Sequence, residues 1–290
     1  MAPGQCPCWN SAGVRASIKG PAAERKLSSS MTKVLPMPDI VGQRRARERR
    51  LDTMLSGRPP TTQLDLDQLL DRLATGSARQ KRSTAAALEK AADELPSKAS
   101  EALKAYSRDG DDWGAGWILQ ILQRHHPETL AVIPEASSGW FNTPSACGID
   151  FSALQLALLQ EDFEQADRLT SCFLRELAGG QAVQRGYVYF SEVPRMQALD
   201  LTTLDRLWIA YSQGRFGFTV QSRLLNALDG RYERLWPRIG WKIDGNWTRY
   251  PGAFQWSMEA PEGHMPLVNQ LRGVRLMDAL LQHPGLAHRA

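Results

Sequence analysis

Between Trp208 and Arg275 the chain concentrates side chains able to hold a large flat molecule. Five of its nine tryptophans fall there: Trp208, Trp236, Trp241, Trp247 and Trp256. Tyr232, Tyr250, Phe216, Phe218 and Phe254 lie among them, interleaved with Arg215, Arg223, Arg231, Arg234, Arg238, Arg249, Arg272 and Arg275. Ring faces stack on an extended π-system, and guanidinium forks pair with carboxylates at its rim. The same mixture would serve single-stranded nucleic acid, and it is equally the composition of a loop-rich core surrounded by solvated arginines. Asn269, Arg272 and Arg275 are spaced by three, so on a helix they share one face and could receive an anionic ligand. Alternatively, Arg275 pairs with Asp278 on the same helix.

Other chemistry is sparse. The chain lacks a Walker-type phosphate loop, a dinucleotide fingerprint, a Gly-x-Ser-x-Gly elbow and a His-Glu-x-x-His motif. Cys6, Cys8, Cys147 and Cys172 form neither a disulfide framework nor paired zinc knuckles. A carboxylate pair would leave no spacing signature, yet nothing points to catalysis, and the chain is read as non-enzymatic, with no metal site. His125-His126 reads as a helix-terminal cap, because adjacent helical residues point about 100° apart.

The formal charge of +4 is unevenly placed. Residues 1–59 hold eleven Lys/Arg and four Asp/Glu; taking these from 35 and 31 leaves 24 basic and 27 acidic residues for 60–290. The body is therefore slightly acidic, and no nucleic-acid partner is expected. Mean hydropathy is −0.38, and no stretch approaches the roughly 20 apolar residues of a membrane span. Peripheral association with a membrane stays open.

The elements that must position the aromatic stretch are helices. Residues 1–59 show no sustained period and are read as a disordered basic tail, a transit peptide, or translation from too early a start, with Met31 or Met54 as the true one. Leu66, Leu69, Leu70 and Leu73 mark a first helix ended by Gly76. Further helices are expected over Ala85–Leu95, from Ala99 to Tyr106 and from Trp113 to Leu122, giving an N-terminal bundle over 60–135. Pro134–Cys147 reads as a loop at the domain boundary. Asp150 opens a second domain, 148–284, with a longer helix from Phe163 to Leu177, others from near Asp200 and from Phe218 to Leu228, and a last one from Pro266 to Leu281. A long aromatic connection separates Gly230 from Pro266. The expected fold is mostly α.

Ordered motifs then carry a resemblance. Leu199-Asp200-Leu201-Thr202-Thr203-Leu204-Asp205, Tyr211-Ser212-Gln213-Gly214-Arg215-Phe216-Gly217-Phe218, Ile239-Gly240-Trp241-Lys242, Trp247-Thr248-Arg249-Tyr250 and Ala260-Pro261-Glu262-Gly263-His264-Met265-Pro266 resemble the Genomes Uncoupled Four family across about 150–284. The helices ahead, and the ending Asn269–Arg275 with His283-Pro284, look like the cyanobacterial members. The resemblance implies a cupped, mostly helical domain that binds protoporphyrin IX or magnesium protoporphyrin IX without catalysis. It implies stimulation of magnesium chelatase in chlorophyll biosynthesis through that enzyme's large porphyrin-binding subunit. The implied location is the cyanobacterial cytoplasm, or the chloroplast if residues 1–59 are a transit peptide. The positions matching the family's ligand contacts are Phe190, Trp247, Tyr250, Asn269 and Arg272, with Phe254 and Trp256 as neighbours; Arg275 joins them from the helix-face argument. Tyr250 stands where the family pattern leads one to expect tryptophan, which keeps an aromatic face and adds a hydroxyl. His264 is the nearby histidine to consider as an axial ligand to magnesium, although oxygen donors suit that ion better. A module that only bridges chelatase subunits, and a signalling protein that binds a linear bilin, are the alternatives.

Overall fold

The computed structural model describes residues 65–134, 136–268 and 273–289. The expected basic tail over 1–59, and the proposed ligand contacts Asn269 and Arg272, lie outside the described residues.

Helix α1 (Leu66–Thr75) begins at Asp65, whose carboxylate accepts from the Gln68 N–H at 2.8 Å. Its leucine stripe is buried as the spacing predicts. Helix α2 (Ala78–Lys90) starts seven residues before the expected Ala85. The missed signal is Ser77-x-x-Gln80, a capping pattern: the Gln80 side chain accepts from the Ser77 N–H at 2.9 Å. Residues 92–95, expected to finish that helix ahead of Pro96, belong instead to a 3-10 turn (Ala92–Ser97), because proline cannot donate to the helical ladder and restricts the residue before it. Short helix α3 (Ala99–Leu103) follows.

Helix α4 (Trp113–His125) is capped by Asp112. Gly114, Ala115, Gly116, Ile118, Leu119, Gln120, Ile121 and Leu122 are all buried, so it runs through the interior rather than along a surface. A Cβ on Gly116 would stand 2.0 Å from the Ala210 carbonyl oxygen, so only glycine permits this approach. One turn on, the Gln120 amide donates to the carbonyls of Leu158 (3.0 Å) and Tyr211 (2.8 Å), filling acceptors at two helix ends. Helices α5 (Pro127–Val132) and α6 (Ala136–Gly139) follow, so the expected loop holds one short helical turn. Trp140 and Phe141 next to it are buried, and the Phe141 N–H and carbonyl both pair with the Gln155 side chain.

The C-terminal half contains α7 (Ser152–Leu159), α8 (Phe163–Ala178), α9 (Gly180–Arg185), a 3-10 turn (Phe190–Arg195), α10 (Ala198–Ala210) and α11 (Phe218–Asn226). Its core holds Trp208, Tyr211, Phe151, Phe163, Phe216 and Phe218, all fully buried; the Trp208 indole donates to Thr170 at 2.9 Å. The long connection after Gly230 is more ordered than its composition suggests. It contains helix α12 (Tyr232–Arg238) and a hairpin of β1 (Lys242–Ile243) and β2 (Asn246–Trp247), with Lys242 opposite Trp247. Helices α13 (Gly273–Leu281) and α14 (Pro284–Ala287) end the fold. Pro266 does not open a helix. The Leu267 N–H donates to the Asp167 carboxylate of α8 at 2.6 Å, and Leu267 and Val268 lie outside any helix. The fold is mostly α, as expected.

Candidate functional site

The middle of α8 forms a floor. Its buried stripe keeps Phe173 and Leu177 in the core, while Ser171, Leu174 and Arg175 line a pocket of about 50 Å³. Gly186, Tyr187, Val188 and Met196 supply one wall, and Leu267, Val268, Leu276 and Leu280 the other. A space of this size holds one or two waters. A flat macrocycle would not fit inside it, only across its rim.

Two of the sequence-selected residues meet on the segments that supply those walls, Phe190 between Val188 and Met196 and Arg275 next to Leu276. Phe190 opens the 3-10 turn and is 46% exposed. The Arg275 guanidinium, from α13, sits over its ring at 5.6 Å, a cation–π contact. The expected alternative pairing of Arg275 with Asp278 gives way to other bonds: Asp278 accepts from the Tyr232 hydroxyl at 2.9 Å and from Gln282 at 3.0 Å. In the same segment, Arg185 Nη2 donates to both Glu192 oxygens at 2.7 and 2.9 Å, and the guanidinium covers the rings of Tyr187 and Tyr189. Against a desolvation cost that raises it, the Tyr189 N–H at 2.8 Å and then the Arg185 ion pair hold the Glu192 carboxyl below its usual range.

The remaining aromatic candidates form two linked clusters. Trp236 stacks on Trp241 at 5.5 Å and leans on Trp247 at 5.6 Å; Lys242 lies over the Trp247 ring, which stays 41% exposed. Tyr250, Phe254 and Trp256 contact one another at 5.4–5.8 Å. Tyr250 is exposed, Trp256 half-buried and Phe254 buried, so Phe254 supports the cluster from beneath rather than offering a face. His264 joins the clusters. Its Nδ1 lies 2.7 Å from the Ile239 carbonyl, its Nε2 accepts from the Gln255 N–H at 3.4 Å, and its own carbonyl accepts from the Trp241 indole at 2.8 Å. Burial pushes its pKa down. With both ring nitrogens engaged, His264 is a brace of the loop.

One functional-looking group escaped the sequence reading. Asp167 is 2% exposed, and its carboxylate receives the Leu267 N–H and the Tyr250 hydroxyl. Burial raises its pKa to about 7 against the lowering pull of those two bonds. An acid between apolar helix positions reads in sequence as a solvated residue, so nothing marked it.

With this geometry in place, the comparisons with known proteins fall into a pattern. Residues 144–284 match the family model described as GUN4-like. A Ycf53-like protein of Synechocystis is 47% identical over 171 residues, covering 58% of this chain and 73% of the relative. The chain belongs to the GUN4 family. An Arabidopsis thaliana relative named tetrapyrrole-binding protein, chloroplastic, is 37% identical over 146 residues, or 55% of its length. The Chlamydomonas reinhardtii GUN4 structure is 36% identical, covers 50% of this chain and 93% of that one, and superposes with a TM-score of 0.48. The matched GUN4 region contains all of the sequence-selected residues. Among the described ones, Phe190 and Arg275 are brought together, as are Tyr250, Phe254 and Trp256. Trp247 sits on the hairpin beside them in sequence, joined instead to Trp236.

Proposed function

We propose that this GUN4 protein binds a tetrapyrrole, protoporphyrin IX or its magnesium complex, across the face bounded by Phe190, Arg275, Trp247 and Tyr250. The observation that carries this reading is a contrast in burial. The core aromatics are fully buried, whereas Phe190, Trp247 and Tyr250 are each 40–46% exposed. Large aromatic rings left at the surface near cations suit a flat, anionic π-ligand. Arg275 would meet a propionate at the rim, and Asn269 and Arg272, from the resemblance, would extend the same polar edge. Trp256 would flank the ring, and buried Phe254 would support Tyr250 and Trp256. The bound magnesium would keep an oxygen ligand, since His264 is committed within the loop.

The protein would act without catalysis, as a regulator that stimulates magnesium chelatase in chlorophyll biosynthesis through the chelatase's large porphyrin-binding subunit. The name of the Arabidopsis relative supports the ligand class; the family resemblance supports the partner. Adding the full chain to magnesium chelatase with limiting porphyrin should raise the rate of magnesium insertion. An unchanged rate with porphyrin-bound protein would remove the activator role.

The small volume under the rim favours a second reading, a module that bridges chelatase subunits without ligand. Stimulation that is independent of porphyrin binding would select it.

A further inference from the structure

We infer that Asp167 is a positioning residue which latches both ligand-bearing segments to α8, and that the Tyr250 hydroxyl is the adjustable half of that latch. This rests on the tetrapyrrole reading above and deepens it. The two bonds to Asp167 come from separate places, one in the middle of the aromatic connection and one just beyond its end. One is the Leu267 N–H at 2.6 Å, from a residue that lines the pocket and stands two before Asn269. The other is the Tyr250 hydroxyl, whose half-exposed ring is packed edge-on to Phe254 and Trp256. A single buried carboxylate thus fixes, on one helix, the aromatic loop and the segment leading to the polar edge.

The bond to Leu267 is made by backbone and survives any change of side chain there. The bond to Tyr250 depends on a phenol. Among the described residues, the groups acting on Asp167 are Tyr250 from the loop, with Arg168 lowering and Glu164 raising its pKa from α8 itself. Desolvation dominates and lifts its titration close to neutrality, while the phenol stays protonated well above that range because burial raises it. As pH rises, Asp167 becomes the ionised acceptor that strengthens both bonds. At lower pH the neutral acid holds them less firmly. The latch therefore tightens on the alkaline side.

The test uses the full chain, deuteroporphyrin as ligand, and wild type, Tyr250→Phe, Asp167→Asn and the double variant. Affinity is read by tryptophan quenching at about pH 6 and about pH 8.5, and loop closure by hydrogen exchange of peptides covering 247–256 and 265–268. Taking each variant as a ratio to wild type at the same pH cancels titration of the porphyrin. Tyr250→Phe should weaken binding about fivefold to tenfold at the higher pH and about twofold or less at the lower. Asp167→Asn should flatten that pH dependence, and the double variant should be no weaker than the worse single one. Both single variants should speed exchange of the loop peptides about fivefold, with α8 still protected. Saturable wild-type binding with variant affinities and exchange within about twofold at both pH values would overturn the latch. If wild type binds no porphyrin, the tetrapyrrole reading falls, and the exchange measurement alone still decides whether Asp167 holds the loops.

Discussion

Arg275 carries a specific expectation at the scale of the residue. Its guanidinium lies over Phe190 with Asp278 committed elsewhere, so its charge is available to a carboxylate. Arg275→Ala should weaken porphyrin binding by about 1.5–3 kcal/mol, the scale of a hydrogen bond to a charged group, and Arg272→Ala should do the same if the polar edge is shared. Titration of each variant checks this; unchanged affinity for both would remove the edge from the site. Asp167 makes a second prediction, about stability. Its folded pKa of about 7 lies above the unfolded value of 3.8, so the folded state binds the extra proton between them. Its contribution is fully present below the unfolded pKa and is lost as pH rises through the folded one. Asp167→Asn removes this dependence, so the variant should gain on wild type between about pH 4 and pH 7, by at most about 1.4 kcal/mol per pH unit. Denaturant melts at both ends measure it, and a constant difference would contradict the raised pKa. The residue level was only partly legible in sequence. Phe190, Trp247 and Tyr250 carried a family pattern. Asp167 and Gln120 did not, because their partners lie far along the chain and no spacing encodes them; Arg185 pairs with Glu192 seven residues on, across a turn that no helical or strand period marks.

Elements were more legible where their signals are local. The leucine stripe of α1 and the amphipathic stripe of α8 follow from apolar spacing alone. Helix α12 was hidden by Pro237 and by aromatics that resemble loop composition, and Pro266, a good first helical residue by type, does not start the last helix, which is described from Gly273. Helix α4 looked like one more bundle helix, yet it is enclosed. Gly116→Ala should cost about 1–3 kcal/mol, since a methyl meets the Ala210 carbonyl and packed backbone must move. Gln120→Leu should cost about 1–3 kcal/mol by leaving the Leu158 and Tyr211 carbonyls without that donor. Chemical denaturation of the two variants decides; losses below about 0.5 kcal/mol would mean that the helix adapts freely.

At the scale of the molecule, the described residues from 65 to 289 cluster as one compact unit, with α4 touching α7 and α10. The C-terminal end is tied in by Arg289, which bonds Asp111 ahead of α4 at 2.5 Å and buried Asp205 of α10 at 3.3 Å. Asp205 in turn receives the Thr219 N–H at the start of α11. Removing the arginine leaves a buried acid with less compensation, so Arg289→Ala should lower stability by about 1–3 kcal/mol. The N-terminal helices and the ligand-bearing half should also melt together, with far-UV and tryptophan signals coincident. Two separated transitions would show that the halves are independent. The central claim remains that this GUN4 face receives a tetrapyrrole, and the direct measurement is a titration of the full chain with a water-soluble protoporphyrin analogue, with and without magnesium. Tryptophan quenching and the Soret shift should saturate together at one ligand per chain with micromolar or tighter affinity. Absence of saturable binding by protein shown to be folded would contradict the account.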